Sequence, residues 1–465
     1  SQLMSQPTST SAAQPSLRVR AQRLAGRFKL DSHHAIERFG VIMAVLALTG
    51  AIVLGTAGVQ AFRHTRVQLG NTAVWTPTFT TSRTHQQGTV DGVYVNRDRT
   101  RAMILMHFAD DAKISYQASD YTAFLMGSAT NLSTVPIDTP GISGSVEMFG
   151  STGYMGVVLD ARQPFTSQVL NLTMRARSQL VDSTESDGSS ATSDADSESA
   201  ALQAGDPSFN KFDQWRMYVN PGAGGARYLS SLDQSQFSPG DVYYQTVLAS
   251  QEKTAKDALD AQLVKMRADL AQINVASTSL LTTKVDGLFI RPPKVPAIIA
   301  NDKVTGVSAT EANHGNGGAS TLRLVTTTTV PGGVRLNWRD GSVQKGYLDQ
   351  VVPAGQSYVS YLSKLSSASA NTNGNDSSAV DQMTWTLSNG TDLTTVANSD
   401  GAPAEAAMQP LVTLMNTLNT AYQAYYTDKA SYQTDLSMAL LTLDVTLRDV
   451  ATNSTSRTGH GALIL

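Results

Sequence analysis

Hydrophobic and polar positions follow a different rhythm in each part of this chain. The longest apolar run, residues 39–62, reads FGVIMAVLALTGAIVLGTAGVQAF and carries no charge. At 1.5 Å per residue it would extend about 36 Å, enough to cross a hydrocarbon core of about 30 Å. A buried helix of a globular domain rarely runs that long without a polar face, so the run predicts a transmembrane helix or uncleaved signal anchor. A cleaved signal peptide is the competing reading, with Val59-Gln60-Ala61 as its small or apolar cleavage positions.

Residues 72–180 change to short alternating runs, at 92–96, 102–108, 145–149 and 156–160. Turn signals at Asp91-Gly92, Thr139-Pro140-Gly141 and Ser151-Thr152-Gly153 separate them. Val93 and Val95, then Met103, Leu105 and His107, alternate across Asn96-Arg97-Asp98-Arg99, as in a hairpin with one buried face. This pattern predicts an all-β unit of the β-sandwich type.

Helical spacing takes over between about 239 and 281. Ala255, Leu259, Leu263, Met266, Leu270 and Ile273 recur every three or four residues, with charged residues on the other faces. Leu259, Leu263, Met266, Leu270 and Ile273 form a candidate assembly face, for packing on this chain or on a coiled-coil copy. From Gly287 the text turns β again. The stretch TLRLVTTTTVPGGVRLNWRDGSVQKGYLDQVV predicts a meander with turns at Pro331-Gly332-Gly333 and Asp340-Gly341. A polar loop is expected at 366–380. Two final helices are expected near 404–426 and 431–451. Leu411, Leu414, Leu418, Tyr422 and Tyr425 share a face of the first, and Leu436, Leu440, Leu443, Leu447 and Val450 a face of the second. A turn near 427–431 would fold the two into an antiparallel hairpin.

The expected fold class is therefore an α+β membrane-anchored protein. It has one transmembrane helix, an N-proximal β-sandwich-like domain, and a second β unit with an amphipathic helical bundle within 207–465.

Charge adds topology to this picture. The 35 Lys+Arg and 38 Asp+Glu give a formal net charge of −3. Residues 1–38 carry +4, so the chain beyond the apolar run carries −7. The positive-inside rule then places 1–38 in the cytoplasm and about 400 residues outside it. Arg18, Arg20, Arg23 and Arg27 surround an apolar stripe of Leu17, Ala21, Leu24 and Phe28, a basic face suited to an anionic membrane surface. Ala47, Ala51 and Gly55 recur every fourth residue, a spacing that lets two helices approach closely and suggests a homo-oligomer. Residues 182–206 hold seven acids and no base, and read as a disordered linker. Calcium binding through Asp194, Asp196 and Glu198 lacks the residue register of a known calcium loop.

The candidate chemistry is sparse. There is no cysteine, which removes disulfides, thiol catalysis and cysteine-ligated metals. No phosphate loop, HExxH or GxSxG occurs. His85, His107, His314 and His460 have no metal-ligand spacing. Ser250-Gln251-Glu252-Lys253 matches an SxxK pattern without its companion motifs and reads as a solvated helix face. No catalytic residue, cofactor or metal is expected, and the acidic balance excludes a generally basic nucleic-acid binder. The expected function is a structural component of a bacterial cell-envelope machine for secretion, conjugation or surface-appendage assembly. Its partners would be the membrane, other envelope proteins and copies of itself. The alternatives are a surface adhesin or receptor, and an envelope hydrolase built on carboxylates or His107.

Overall fold

Strands of period two build two antiparallel sheets, as a computed structural model describes them over residues 70–129, 131–177, 211–313, 318–372, 378–394, 403–459 and 462–465. The strands of the first part are β1 (Thr78–Thr80), β2 (Gln87–Val95), β3 (Arg101–Phe108), β4 (Tyr121–Ser128), β5 (Thr134–Val135), β6 (Ser143–Met148), β7 (Tyr154–Asp160) and β8 (Val169–Ala176). Further on come β9 (Gln214–Val219), β10 (Arg227–Tyr228), β11 (Lys303–Thr305), β12 (Arg323–Val325), β13 (Thr455–Arg457) and β14 (Leu463–Ile464). Sheet 1 runs β1-β2-β3-β7-β6-β13, with β10 parallel to β2. Sheet 2 runs β14-β4-β8-β9, with β5 beside β4.

β2 and β3 form a hairpin with Val95 opposite Ala102 and Val93 opposite Ile104. Arg99, at φ 58°, supplies the left-handed residue of its turn. The register shifts between Val90 and Gly92, which makes Asp91 the bulged residue. Gly88 is required where it stands, because a Cβ there would run into the Phe79 ring and the His107 carbonyl.

The inward faces of the two sheets share one core. Val93, Val95, Ile104, Met106, Val146 and Val157 of sheet 1 meet Tyr121, Leu125, Leu172, Met174, Trp215 and Met217 of sheet 2. Phe79, Phe108 and Tyr121 surround the Trp215 indole at 5.3–6.1 Å between ring centroids. The opposite face of sheet 1 is buried as well. Tyr94, Met103, Leu105 and Val158 pack with the helices in a second core. β3 therefore reads apolar at almost every position, because it is the middle layer of three.

The helical layer is built from α1 (Pro239–Tyr243), α2 (Ala249–Thr278), α3 (Tyr358–Thr372), α4 (Pro403–Ser431) and α5 (Ser437–Asn453). Short π-helical turns at Tyr244–Leu248 and Tyr432–Leu436 join α1 to α2 and α4 to α5. The α4–α5 rod runs antiparallel to α1–α2. Gly240 lies near Leu447 and Ala451, and Lys265 bonds Asp428.

The membrane-anchored fold class is corrected by this architecture. No helix among the described residues is long and apolar enough to cross a membrane. α2 carries Lys253, Asp257, Asp260, Lys265 and Asp269, a charge on nearly every turn. What is described is a mixed α/β fold with antiparallel sheets. The 39–62 run, Ala47, Ala51 and Gly55, the basic Arg18, Arg20, Arg23 and Arg27, and the acidic 182–206 tract lie outside the described residues.

Three further expectations meet a different arrangement. The expected second β unit is reduced to the two short strands β11 and β12 and isolated bridges. From 330 to 348 the chain is held by side chains reaching out from helical segments. Gln433 accepts from the Val330 amide at 2.8 Å, Glu252 from Val343 at 3.0 Å and Asp444 from Leu348 at 2.8 Å. Backbone donors satisfied in this way need no neighbouring strand. The turn expected near 427–431 is absent, and the helix continues through it, because Asp428 and Lys429 are buried helix positions. Finally, β8 pairs with β9 from Leu170 opposite Val219 to Arg175 opposite Gln214. Both flanks of the acidic tract thus belong to one sheet, and β13 and β14 bring the last residues back to sheets 1 and 2.

Candidate functional site

The predicted assembly face is where the two long helices meet. Leu259, Leu263 and Met266 are fully buried against this chain's own core, while Leu270 and Ile273 are partly buried at its margin. Leu411, Leu418 and Tyr425 of α4 complete the same core. The large residues close the seam at its centre by ridge-into-groove packing.

Toward the C-terminal end of α2 the residues at the contact become small and the seam opens. Ala271, Gln272, Val275, Ala276 and Ser279 face Thr413, Thr417, Thr420, Ala421 and Ala424 across a groove of about 910 Å³, with Leu414 in its lining. Val275 is 68% exposed at its rim, and Leu281 just beyond is 75% exposed.

A polar cluster lies on the same helix faces, one turn beyond the groove. Gln272 follows Asp269 by three residues and Ala424 precedes Asp428 by four, spacings that stack side chains along a helix. The Lys265 ammonium lies 2.7 Å from the Asp428 carboxylate, and the Gln262 amide donates to that carboxylate at 3.1 Å and to the Asp428 backbone carbonyl at 3.0 Å. Burial opposes ionisation of Asp428, but hydrogen bonds from Asp269, Lys265 and Gln262 outweigh it and hold its carboxyl below the ordinary range. Burial, with the hydrogen bond to Asp428, pushes the Asp269 carboxyl up to about 7.

Deeper in the layer Lys429 and Asp302 form an ion pair at 2.7 Å with both side chains fully buried. The Lys429 ammonium also donates to the Ile298 carbonyl at 2.7 Å and to the Thr326 and Thr328 hydroxyls at 2.9 Å each. Tyr425 donates to Asp302 at 2.8 Å. Burial lowers the Lys429 pKa, opposed by Asp302. This network fastens the 298–302 and 326–328 segments to α4.

The residues weighed for catalysis do not converge. His107 bonds Asp91 through Nδ1 at 2.7 Å and stacks on Tyr154 at 4.8 Å. The bulge turns Asp91 toward His107, and neither lines the groove. In the SxxK stretch Ser250 and Lys253 are exposed. Glu252, however, is buried, accepting from the Tyr244 and Tyr347 hydroxyls at 2.8 Å each. That stretch is a structural anchor on one side and a solvated face on the other. Among the described residues no three His, Asp or Glu side chains gather in a metal-binding arrangement. His314 and His460, and the Asp194, Asp196 and Glu198 tract, lie outside those residues.

Sequence reasoning missed Asp269, Asp302, Asp428 and Lys429. One signal was available: Lys429 falls four residues after Tyr425 and three before Tyr432, on the apolar stripe. A cation on that stripe marks a buried partner. No family model, curated protein or solved structure matches this chain.

Proposed function

We propose that this chain is a structural component of a bacterial cell-envelope assembly, working by protein–protein contact, with the groove between α2 and α4 as a seat for a partner. The observation that carries the reading is the open groove of about 910 Å³, walled by two long helices and lined by small and apolar side chains. Such a groove suits the apolar face of a partner helix, with Thr413, Thr417, Gln272 and Asn416 offering hydrogen bonds at the rim. Val275 and Leu281 extend its apolar margin into solvent. In an oxidising envelope compartment a cysteine-free chain would be held together by burial alone, as this one is. Rigid walls favour this use: α2 and α4 are pinned to each other and to sheet 1 by a single continuous core.

Size measurement on native extracts tests this. The wild-type chain is expected in a defined species larger than its monomer. Filling the groove with Ala276→Trp should shift it to monomer size while the chain still melts in one cooperative transition. A wild-type monomer under gentle extraction would overturn the reading.

A further inference from the structure

We propose that the cleft where the end of α5 meets sheet 1 binds a neutral saccharide, with Tyr116 as the stacking platform and the polar groups around Asp449 as partners for its hydroxyls. The cleft is separate from the α2–α4 groove, and no residue lines both.

Three segments far apart in sequence meet there: 116–117 ahead of β4, the 150–151 turn between β6 and β7, and 449–455 at the end of α5. They enclose about 460 Å³, a size suited to a small ligand. Side chains tie the walls together. Asp449 accepts from the Ser151 amide at 2.8 Å and from its hydroxyl at 2.9 Å. The Ser454 hydroxyl accepts from the Gly150 amide at 3.1 Å, and the Thr455 hydroxyl from the Ala118 amide at 2.9 Å. Gly150 is required at its turn, because its φ is 55° and a Cβ there would run into the Asp449 carboxylate.

Tyr116 supplies the apolar surface. It is 40% exposed, yet the backbone on either side of it is fixed. The Tyr121 hydroxyl donates to the Ser115 carbonyl at 2.6 Å, and Ala118 is fully buried. An aromatic ring held toward solvent on a fixed base is pre-organised to stack on the apolar face of a sugar ring. Gln117, Thr452 and Asn453, all exposed, line the same cleft. Each amide carries donors and an acceptor on one planar group, which matches neighbouring hydroxyls.

Charge selects against other ligand classes. Among the described residues the lining holds no Lys, Arg or His and one carboxylate, Asp449. α5 ends at Asn453, so the negative end of its dipole lies at the cleft and disfavours anions. Burial opposes ionisation of Asp449, but hydrogen bonds from Asn453 and Ser151 outweigh it and hold its carboxyl below the ordinary range. That charge already faces three donors, from Ser151 twice and Asn453 once. Room remains for a hydroxyl, with little attraction left for a full cation. A lone carboxylate falls short of the pair that glycoside hydrolysis uses, so the cleft binds a saccharide without cleaving it.

Saturation-transfer NMR on the full chain, with maltose and di-N-acetylchitobiose as probes, tests the site. At least one disaccharide should bind, with a dissociation constant of about 1 mM. Tyr116→Ala should weaken it about tenfold and Gln117→Ala about fivefold, while Lys253→Ala on α2 should leave it unchanged. All three variants alter exposed side chains, and a cooperative melt checks that each folds. Lysine amide and citrate, the cationic and anionic probes, should bind more weakly than the sugar. Three results would each overturn the proposal: no transfer to either disaccharide, transfer that neither Tyr116→Ala nor Gln117→Ala reduces, or a charged probe bound in preference to both sugars.

Discussion

The β-sandwich and the helical layer differ in how far their backbone relies on buried polar side chains. In the sandwich Asp213 holds the Arg83 and Thr84 amides beside a strand-paired core, and in the helical layer such contacts hold the irregular 330–348 stretch. In the sandwich the shared core is built from apolar side chains, from Val93 and Ile104 to Leu172 and Met217, and the backbone pairs with itself strand to strand. In the helical layer, buried polar side chains replace missing strands. Glu252, Gln433, Asp444 and the Lys429–Asp302 pair hold long irregular segments in place. The sandwich takes its specificity mainly from strand register, the helical layer mainly from individual hydrogen bonds to buried side chains. The sandwich should therefore suffer most from lost volume, while the helical layer should be most sensitive where a buried charge loses its countercharge.

The largest expected effect is in the helical layer. Lys429→Met leaves Asp302 buried with its countercharge gone and should cost about 3–5 kcal/mol in urea unfolding. Adding Asp302→Leu should restore most of that loss; failure to do so would show that the segment contacts matter more than the charge. Next comes Leu105→Ala. Leu105 is 1% exposed on the face of β3 that packs against the helices. A cost of about 3 kcal/mol is expected from the cavity, measured in the same way. A value under about 1 kcal/mol would mean the sandwich and helical layers pack loosely. The smallest is Glu252→Gln. It keeps the shape but weakens three hydrogen bonds, to Tyr244, Tyr347 and the Val343 amide, for about 1–2 kcal/mol.

The same contrast explains what could be read from the chain. Alternation at Val93, Val95, Met103 and Leu105 pointed to strands, and the spacing of Leu259, Leu263 and Met266 pointed to a helix. Both patterns repeat along a local element, so local sequence carries them. The 321–352 stretch misled because its apolar residues, Val330, Val334, Trp338 and Val343, are spaced like strand positions. They are buried one by one, held to helical residues about a hundred positions away in sequence, Val330 by Gln433 and Val343 by Glu252. Polar Thr427-Asp428-Lys429 resembled a turn for the same reason: the partners that make those charges tolerable, Lys265 and Asp302, are distant in sequence. Of the candidate site, the α2 face was legible as an apolar stripe. The groove was not, because it arises where small residues on two helices happen to meet.

A photo-crosslinking amino acid at Val275 in the native cell would show whether the groove between α2 and α4 seats a protein partner. A discrete adduct is expected that disappears when Ala276→Trp fills the groove, with none from a probe at exposed Lys253. The same background from Val275 and Lys253 would contradict it.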